Sequence, residues 1–150
     1  MRRAFLTFFY TGLSQKAPGT MGSLLALAFG VFIVKFLTLE TLFLGALLLS
    51  LAGIKEINAY ERDGGEHDDK SIVIDEVVGM WLALVLSSTT WIQIVLSFLF
   101  FRLFDIWKPS IIGKIDQNVK GGLGVMGDDI LAGMFAGICS AGVYHLFTLV

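Results

Sequence analysis

Long apolar runs separated by short polar islands organise the chain: residues 22–38, 39–54, 77–87, 91–107 and 129–150 carry few charges. Their residue spacing suits helices and not the alternation of strands. A full membrane crossing needs about 20 residues, and of these runs only the last clearly reaches that length. The first two are expected to pair as a hairpin turning near Lys35–Glu40, and the third and fourth as another turning at SSTT, 87–90. Each arm is marginal in length, so tilting, extension by polar flanks and partial immersion all stay open, and the number of crossings with them. The expected fold is all-α: a compact, membrane-embedded helical bundle of several short apolar helices, one domain over 1–150, with its polar loops gathered on one face.

Composition strengthens the membrane reading. Of 150 residues 55% are hydrophobic and 16% charged, against a norm of about 25% charged, and mean hydropathy is +0.77. A net charge of −2 with no basic helix sets nucleic acid aside. The single cysteine, Cys139, lies in the apolar stretch AGICSAGVY, so neither a disulfide framework nor a thiolate metal cluster is available. The start MRRAFLTFFYTG has the two arginines of a signal peptide. Its apolar part is short, broken by Thr7, Thr11 and Gly12, and followed by a charged Gly-rich loop, so it reads as mature protein. Cytoplasmic loops retain Lys and Arg. If the N-terminus and the 55–74 and 105–127 loops share the cytoplasmic side, every basic residue but Lys35 of the 11 lies there.

Four polar islands then fall on one face. In QKAPGTMGS, 15–23, Pro18, Gly19 and Gly22 form a tight loop whose backbone N–H groups, with the Thr20 and Ser23 hydroxyls, open onto a helix start that favours anions. Pro-Gly before Ser or Thr is also simply how a helix begins. GEHDDKSIVIDE, 65–76, holds His67, Asp68, Asp69, Asp75 and Glu76. Its hard oxygen donors suit Mg²⁺, and His67 is either a proton shuttle or a solvated loop residue. In FRLFDIWKPS, 101–110, Arg102, Asp105 and Lys108 recur every three residues, one helical stripe, with Lys108 loosened from the helix by Pro109. The bland alternative is a salt-bridge ladder with snorkelling cations. In KGGLGVMGDDILAG, 120–133, four glycines between Gly121 and Gly127 form a loop open to a ligand or a hinge, and Asp128–Asp129 then open the last helix. GLGVMG, 122–127, has the letters of GxGxxG but follows no strand, and no GxxxxGK[ST] occurs, so no nucleotide is implied. One weak internal echo joins two islands: DEVVGMW, 75–81, and DDILAGMF, 128–135, each run from two acids through two aliphatics to small residues and Met-aromatic.

Clustered carboxylates repel and hold protons unless a cation joins them. A Mg²⁺ site resolves that conflict, and with Arg102, Lys108 and the Gly-rich loops as anion ligands the natural occupant is a phosphate bridged by metal at a membrane surface.

The blocks APGTMGS, GEHDDKSIVIDEVVGMW, FRLFDIWKPS and GGLGVMGDDILAG resemble, in order and over residues 10 to 137, the signature blocks of the phosphatidylglycerophosphatase A family of bacterial lipid phosphatases. The resemblance implies a Mg²⁺-dependent enzyme that removes the terminal phosphate of phosphatidylglycerol phosphate, gives phosphatidylglycerol, and resides in the bacterial cytoplasmic (inner) membrane with its site facing the cytoplasm. Carried over by motif, Asp75, Glu76, Asp105, Asp128 and Asp129 are the metal and catalytic acids, with Asp68 as a further metal ligand and His67 beside it in the supporting loop. Lys108, Arg102 and the loop of Gly19, Thr20 and Ser23 are the phosphate ligands.

Cys139 lies in an apolar helix without a C-x₅-R loop, so a cysteine-phosphate route is excluded. The expected chemistry is metal-activated water attacking phosphorus in line with a carboxylate as base; an aspartyl-phosphate intermediate is the alternative. Two rival classes stand beside the enzyme: a small ion-binding or transport module using membrane acids, and a purely structural membrane subunit.

Overall fold

The computed structural model describes residues 1–67 and 69–148. A short α1 (Arg2–Leu6) and a 3₁₀ turn precede α2 (Pro18–Phe36), α3 (Leu39–Arg62), α4 (Ile74–Ser87), α5 (Trp91–Trp107), α6 (Ile111–Asn118) and α7 (Gly122–Thr148). The described residues form no strand. Helix starts follow local chemistry: Pro18 occupies the first turn of α2, where its missing N–H costs nothing. Thr38 accepts the Thr41 amide (3.2 Å) at α3, and Thr90 accepts the Gln93 amide (3.4 Å) at α5. Both expected hairpin turns are present, at residues 37–38 and 88–90.

Among the described residues three helices, α2, α3 and α7, are long and apolar enough to cross a membrane, with 19, 24 and 27 residues. The sequence reading made the first two marginal. They gain length because their ends absorb polar residues, Pro18–Met21 in α2 and Lys55–Arg62 in α3, where helix geometry continues past the apolar run. The interior of these helices is built from small residues: Gly22, Ser23, Ala26 and Gly30 in α2, and Ala132, Gly133, Ala136, Gly137 and Ser140 in α7. Large residues such as Phe32, Leu48, Leu51 and Ile138 point outward. Small-inside, large-outside is the pattern of helices packed in lipid, where close backbone approach replaces a hydrophobic drive.

Helix α4, 14 residues and short of a crossing, is the hub, with α2, α3, α5 and α7 packed around it. Trp81 wedges against Gly30 and Gly45 and donates its indole N–H to the Ala26 carbonyl at 2.9 Å. At the bundle end far from the charged loops, the Ser97 hydroxyl donates to Ser87 (2.7 Å) and Ser140 donates to the Gln93 carbonyl (3.0 Å), so the buried polar groups there are satisfied.

One expectation is corrected. The glycines of 121–127 do not form a ligand-embracing loop, and Asp128–Asp129 do not open the last helix: α7 already begins at Gly122. Only Gly121, at φ 73°, is the turn. Gly122 and Gly124 are needed for packing, because a Cβ at either would strike the backbone of Ile54 or Val119.

Candidate functional site

Up-and-down connectivity returns the α2 head, the loop residues 69–73, the α4 head, the α5 tail and the α7 head to one end of the bundle. They enclose an open basin of about 260 Å³ lined by Gly19, Asp69, Lys70, Asp75, Glu76, Arg102, Asp105, Lys108, Asp128 and Asp129 among others. Asp75 and Glu76 lie in the first turn of α4, as the sequence suggested. Asp129 faces them from the second turn of α7 because α4 and α7 approach backbone to backbone at Gly79 and Gly133, each four residues beyond its acid. That shared offset is the physical content of the echo between 75–81 and 128–135.

Asp75, Glu76 and Asp129 each offer an oxygen, all within 4.8 Å of one another. Asp75 and Asp129 are 8% and 3% exposed, and Glu76 Oε2 is sealed with no hydrogen-bond partner. Burial, with the Asp129 carboxylate alongside, pushes Glu76 up to about 8. Burial and the neighbouring Glu76 push Asp75 up as well. Three converging carboxylates with an unpartnered oxygen fit a divalent cation that takes oxygen ligands.

The cations occupy the facing wall. Arg102 pairs with Asp105 at 2.5 Å and reaches the Ser23 hydroxyl at 3.2 Å, while its Nε is buried without a partner. Ser23 itself donates to the Gly19 carbonyl (2.7 Å), and Gly19 lies so close that a Cβ would collide with Glu76 Oε1 and come within 3.2 Å of Arg102 Nη1. Lys108 bridges Asp128 (2.6 Å) and Asp116 (2.5 Å). Burial works against its charge, but those two carboxylates outweigh burial and hold the ammonium above its ordinary range.

The structure thus brings together Gly19, Ser23, Asp75, Glu76, Arg102, Asp105, Lys108, Asp128 and Asp129. Asp105 and Asp128, expected as metal ligands, are each engaged by a cation. Thr20 and Ser23, expected as phosphate ligands, are not among the lining residues; Ser23 is buried and meets the site through Arg102. His67 stands outside the basin, exposed, with Nδ1 2.5 Å from Glu61 Oε1. Asp68, expected as a further metal ligand, lies outside the described residues. Sequence reasoning placed Asp69 in the acidic island without giving it a role, and passed over Lys70 and Asp116. Asp69 accepts the Tyr60 hydroxyl (2.6 Å) and the Ser71 amide (2.9 Å), which hold its carboxyl below the usual range. The signal for Lys70 and Asp69 was their place in the acidic loop; Asp116 carried none.

Comparison with known proteins gives a consistent picture. A family model described as phosphatidylglycerophosphatase A matches residues 4–144. An Escherichia coli protein named phosphatidylglycerophosphatase A is 41% identical over 138 residues, 91% of this chain and 77% of its own. A Haemophilus influenzae protein of the same name is 38% identical over 129 residues, covering 85% and 79%. A Bacteroides thetaiotaomicron protein, provisionally named a phosphatidylinositol-3-phosphatase, is 40% identical over 142 residues, covering 90% and 88%. No solved structure matches the chain.

Proposed function

The chain belongs to the phosphatidylglycerophosphatase A family, and from that premise we propose that it is a Mg²⁺-dependent lipid phosphatase of the bacterial cytoplasmic membrane. Its substrate on this reading is phosphatidylglycerol phosphate, hydrolysed to phosphatidylglycerol and inorganic phosphate with the basin facing the cytoplasm. One observation carries the reading. Among the described residues, the basin sets Asp69, Asp75, Glu76, Asp105, Asp128 and Asp129 against Lys70, Arg102 and Lys108. An anionic phosphate enters such a basin only if further positive charge arrives with it, and Asp75, Glu76 and Asp129 are the residues to hold that charge.

When bound there, Mg²⁺ supplies charge against the phosphate oxygens and acidifies nearby water. The chain's own residues do the rest. Arg102 and Lys108, both lining the basin, present N–H donors to phosphate oxygens and orient the phosphorus for in-line attack. Asp105, fixed by Arg102 at the basin wall, takes the proton from the attacking water. The water oxygen bonds to phosphorus, the bond from phosphorus to the glycerol oxygen breaks, and that oxygen takes a proton from solvent water at the open mouth, while Asp105 returns its proton to solvent. Gly19 keeps the α2 backbone close enough to confine the carboxylate of Glu76.

The test is phosphate release from a panel of phospholipid monoesters with the purified protein. Phosphatidylglycerol phosphate should be turned over with Mg²⁺ and spared with EDTA. Preference for a phosphoinositide, as the name of the Bacteroides relative raises, would replace the headgroup assignment. Release unaffected by EDTA would remove the metal from the reading.

A further inference from the structure

The reading above uses Lys108 but gives no role to the residue that holds it from the other side. Lys108 ends α5 with φ 46°, and Ser110 follows with φ 51°, left-handed conformations that side-chain-bearing residues rarely take. The chain thereby reverses around Pro109 directly into α6. The first turn of α6 closes on the residues just after Lys108: the Ile112 amide donates to the Pro109 carbonyl (3.1 Å) and the Lys114 amide to the Ser110 carbonyl (3.2 Å). Ile112 is buried and anchors the helix. Gly113 lies so near that a Cβ there would come 2.6 Å from the Lys108 carbonyl. Gly113 and Asp116, three residues apart, share the helix face turned to Lys108. The glycine admits the backbone and the aspartate takes the ammonium, 2.5 Å from Asp116 Oδ1.

We propose that Asp116 is a positioning residue: α6 acts as a bracket whose Asp116 carboxylate, opposite Asp128, fixes the Lys108 ammonium at the basin so that it meets the phosphate. An ammonium has three N–H donors. Two are directed at Asp116 and Asp128, and the third is left for a phosphate oxygen. Asp128 is buried in α7, whereas Asp116 rides on a short helix with 31% of its side chain exposed. With Asp128 alone, the four-carbon lysine stem would sweep a cone of positions; the second carboxylate removes that freedom. The inference rests on reading Lys108 as a phosphate ligand.

A double-mutant cycle on the full chain in mixed micelles separates this role from an ordinary surface ion pair. Asp116→Asn should lower kcat/KM for phosphatidylglycerol phosphate about tenfold, Asp116→Glu should restore most of it, and Asp116→Asn should cost nothing more in a Lys108→Met background. The same four proteins are scored for stabilisation by inorganic phosphate in thermal unfolding with Mg²⁺ present, where the Asp116→Asn loss should likewise vanish beside Lys108→Met. This second readout stands without turnover. If the unaltered chain gains stability from phosphate but hydrolyses no lipid, the proposed function fails while the cycle still judges Asp116. Additive losses, full activity of Asp116→Asn, or its failure to fold while Asp116→Glu behaves no better would each overturn the inference.

Discussion

Gly79 and Gly133 meet backbone to backbone: a Cβ on Gly133 would overlap the Gly79 carbonyl, and a Cβ on Gly79 would come 2.6 Å from the Asp129 carbonyl. The contact is one turn beyond Asp75 on one helix and Asp129 on the other. It sets how far apart the two carboxylates stand.

Because neither glycine has room for a methyl group, Gly133→Ala should separate α4 from α7 and open the acid cluster. Overpacking of this kind costs about 1–3 kcal/mol. Thermal unfolding in detergent should show the loss, and Mg²⁺-dependent phosphate release should fall with it. A Gly133→Ala protein with unaltered stability and turnover would contradict the contact.

Asp129→Asn and Asp75→Asn each remove a charge from the three converging oxygens. Loss of an outer residue that merely supports a metal ligand already costs about 10- to 100-fold, so either change should lower phosphate release by more than about 100-fold. Titration of turnover against Mg²⁺ is the measurement. Full turnover of either variant would sink the assignment of the cation site.

The elevated Glu76 gives a pH signature. An acid whose folded pKa stands above its unfolded value contributes stability that is fully present below the unfolded pKa and lost as pH rises through the folded one. Here the window runs from the ordinary 4.5 to about 8. In EDTA, the melting temperature should therefore fall between those limits, and Mg²⁺ should restore it above pH 8. A profile in EDTA that is flat across the window would argue against a buried acid cluster.

Arg102 meets both Asp105 and the Ser23 hydroxyl through Nη1. Lysine has no second terminal nitrogen to offer a phosphate beside such a contact. Arg102→Lys should raise KM for the lipid substrate about tenfold with a smaller change in kcat, read from saturation kinetics. An unchanged KM would take Arg102 out of phosphate binding.

Read alone, the sequence determined a good deal. Helices, hairpin turns near Lys35–Glu40 and at 87–90, membrane character and the family were legible because apolar runs and the polar breaks between them act over a few residues, and the acidic blocks are short and ordered. The carboxylates at 75–76 could be placed at a helix start for the same local reason. Only the tertiary structure decided which acids converge. Asp75, Glu76 and Asp129 form one group while Asp105 and Asp128 are claimed by Arg102 and Lys108, an outcome fixed by the crossing of α4 and α7 at two glycines. It also moved the start of α7 back to Gly122, since glycines that look like a loop in sequence are helical where another backbone presses against them. His67, beside acids in sequence, turned to Glu61, and Asp116, unremarkable in sequence, met Lys108. Pairings of this kind depend on which helix faces meet, and face-to-face packing between elements distant in the chain leaves no mark within any one stretch of it.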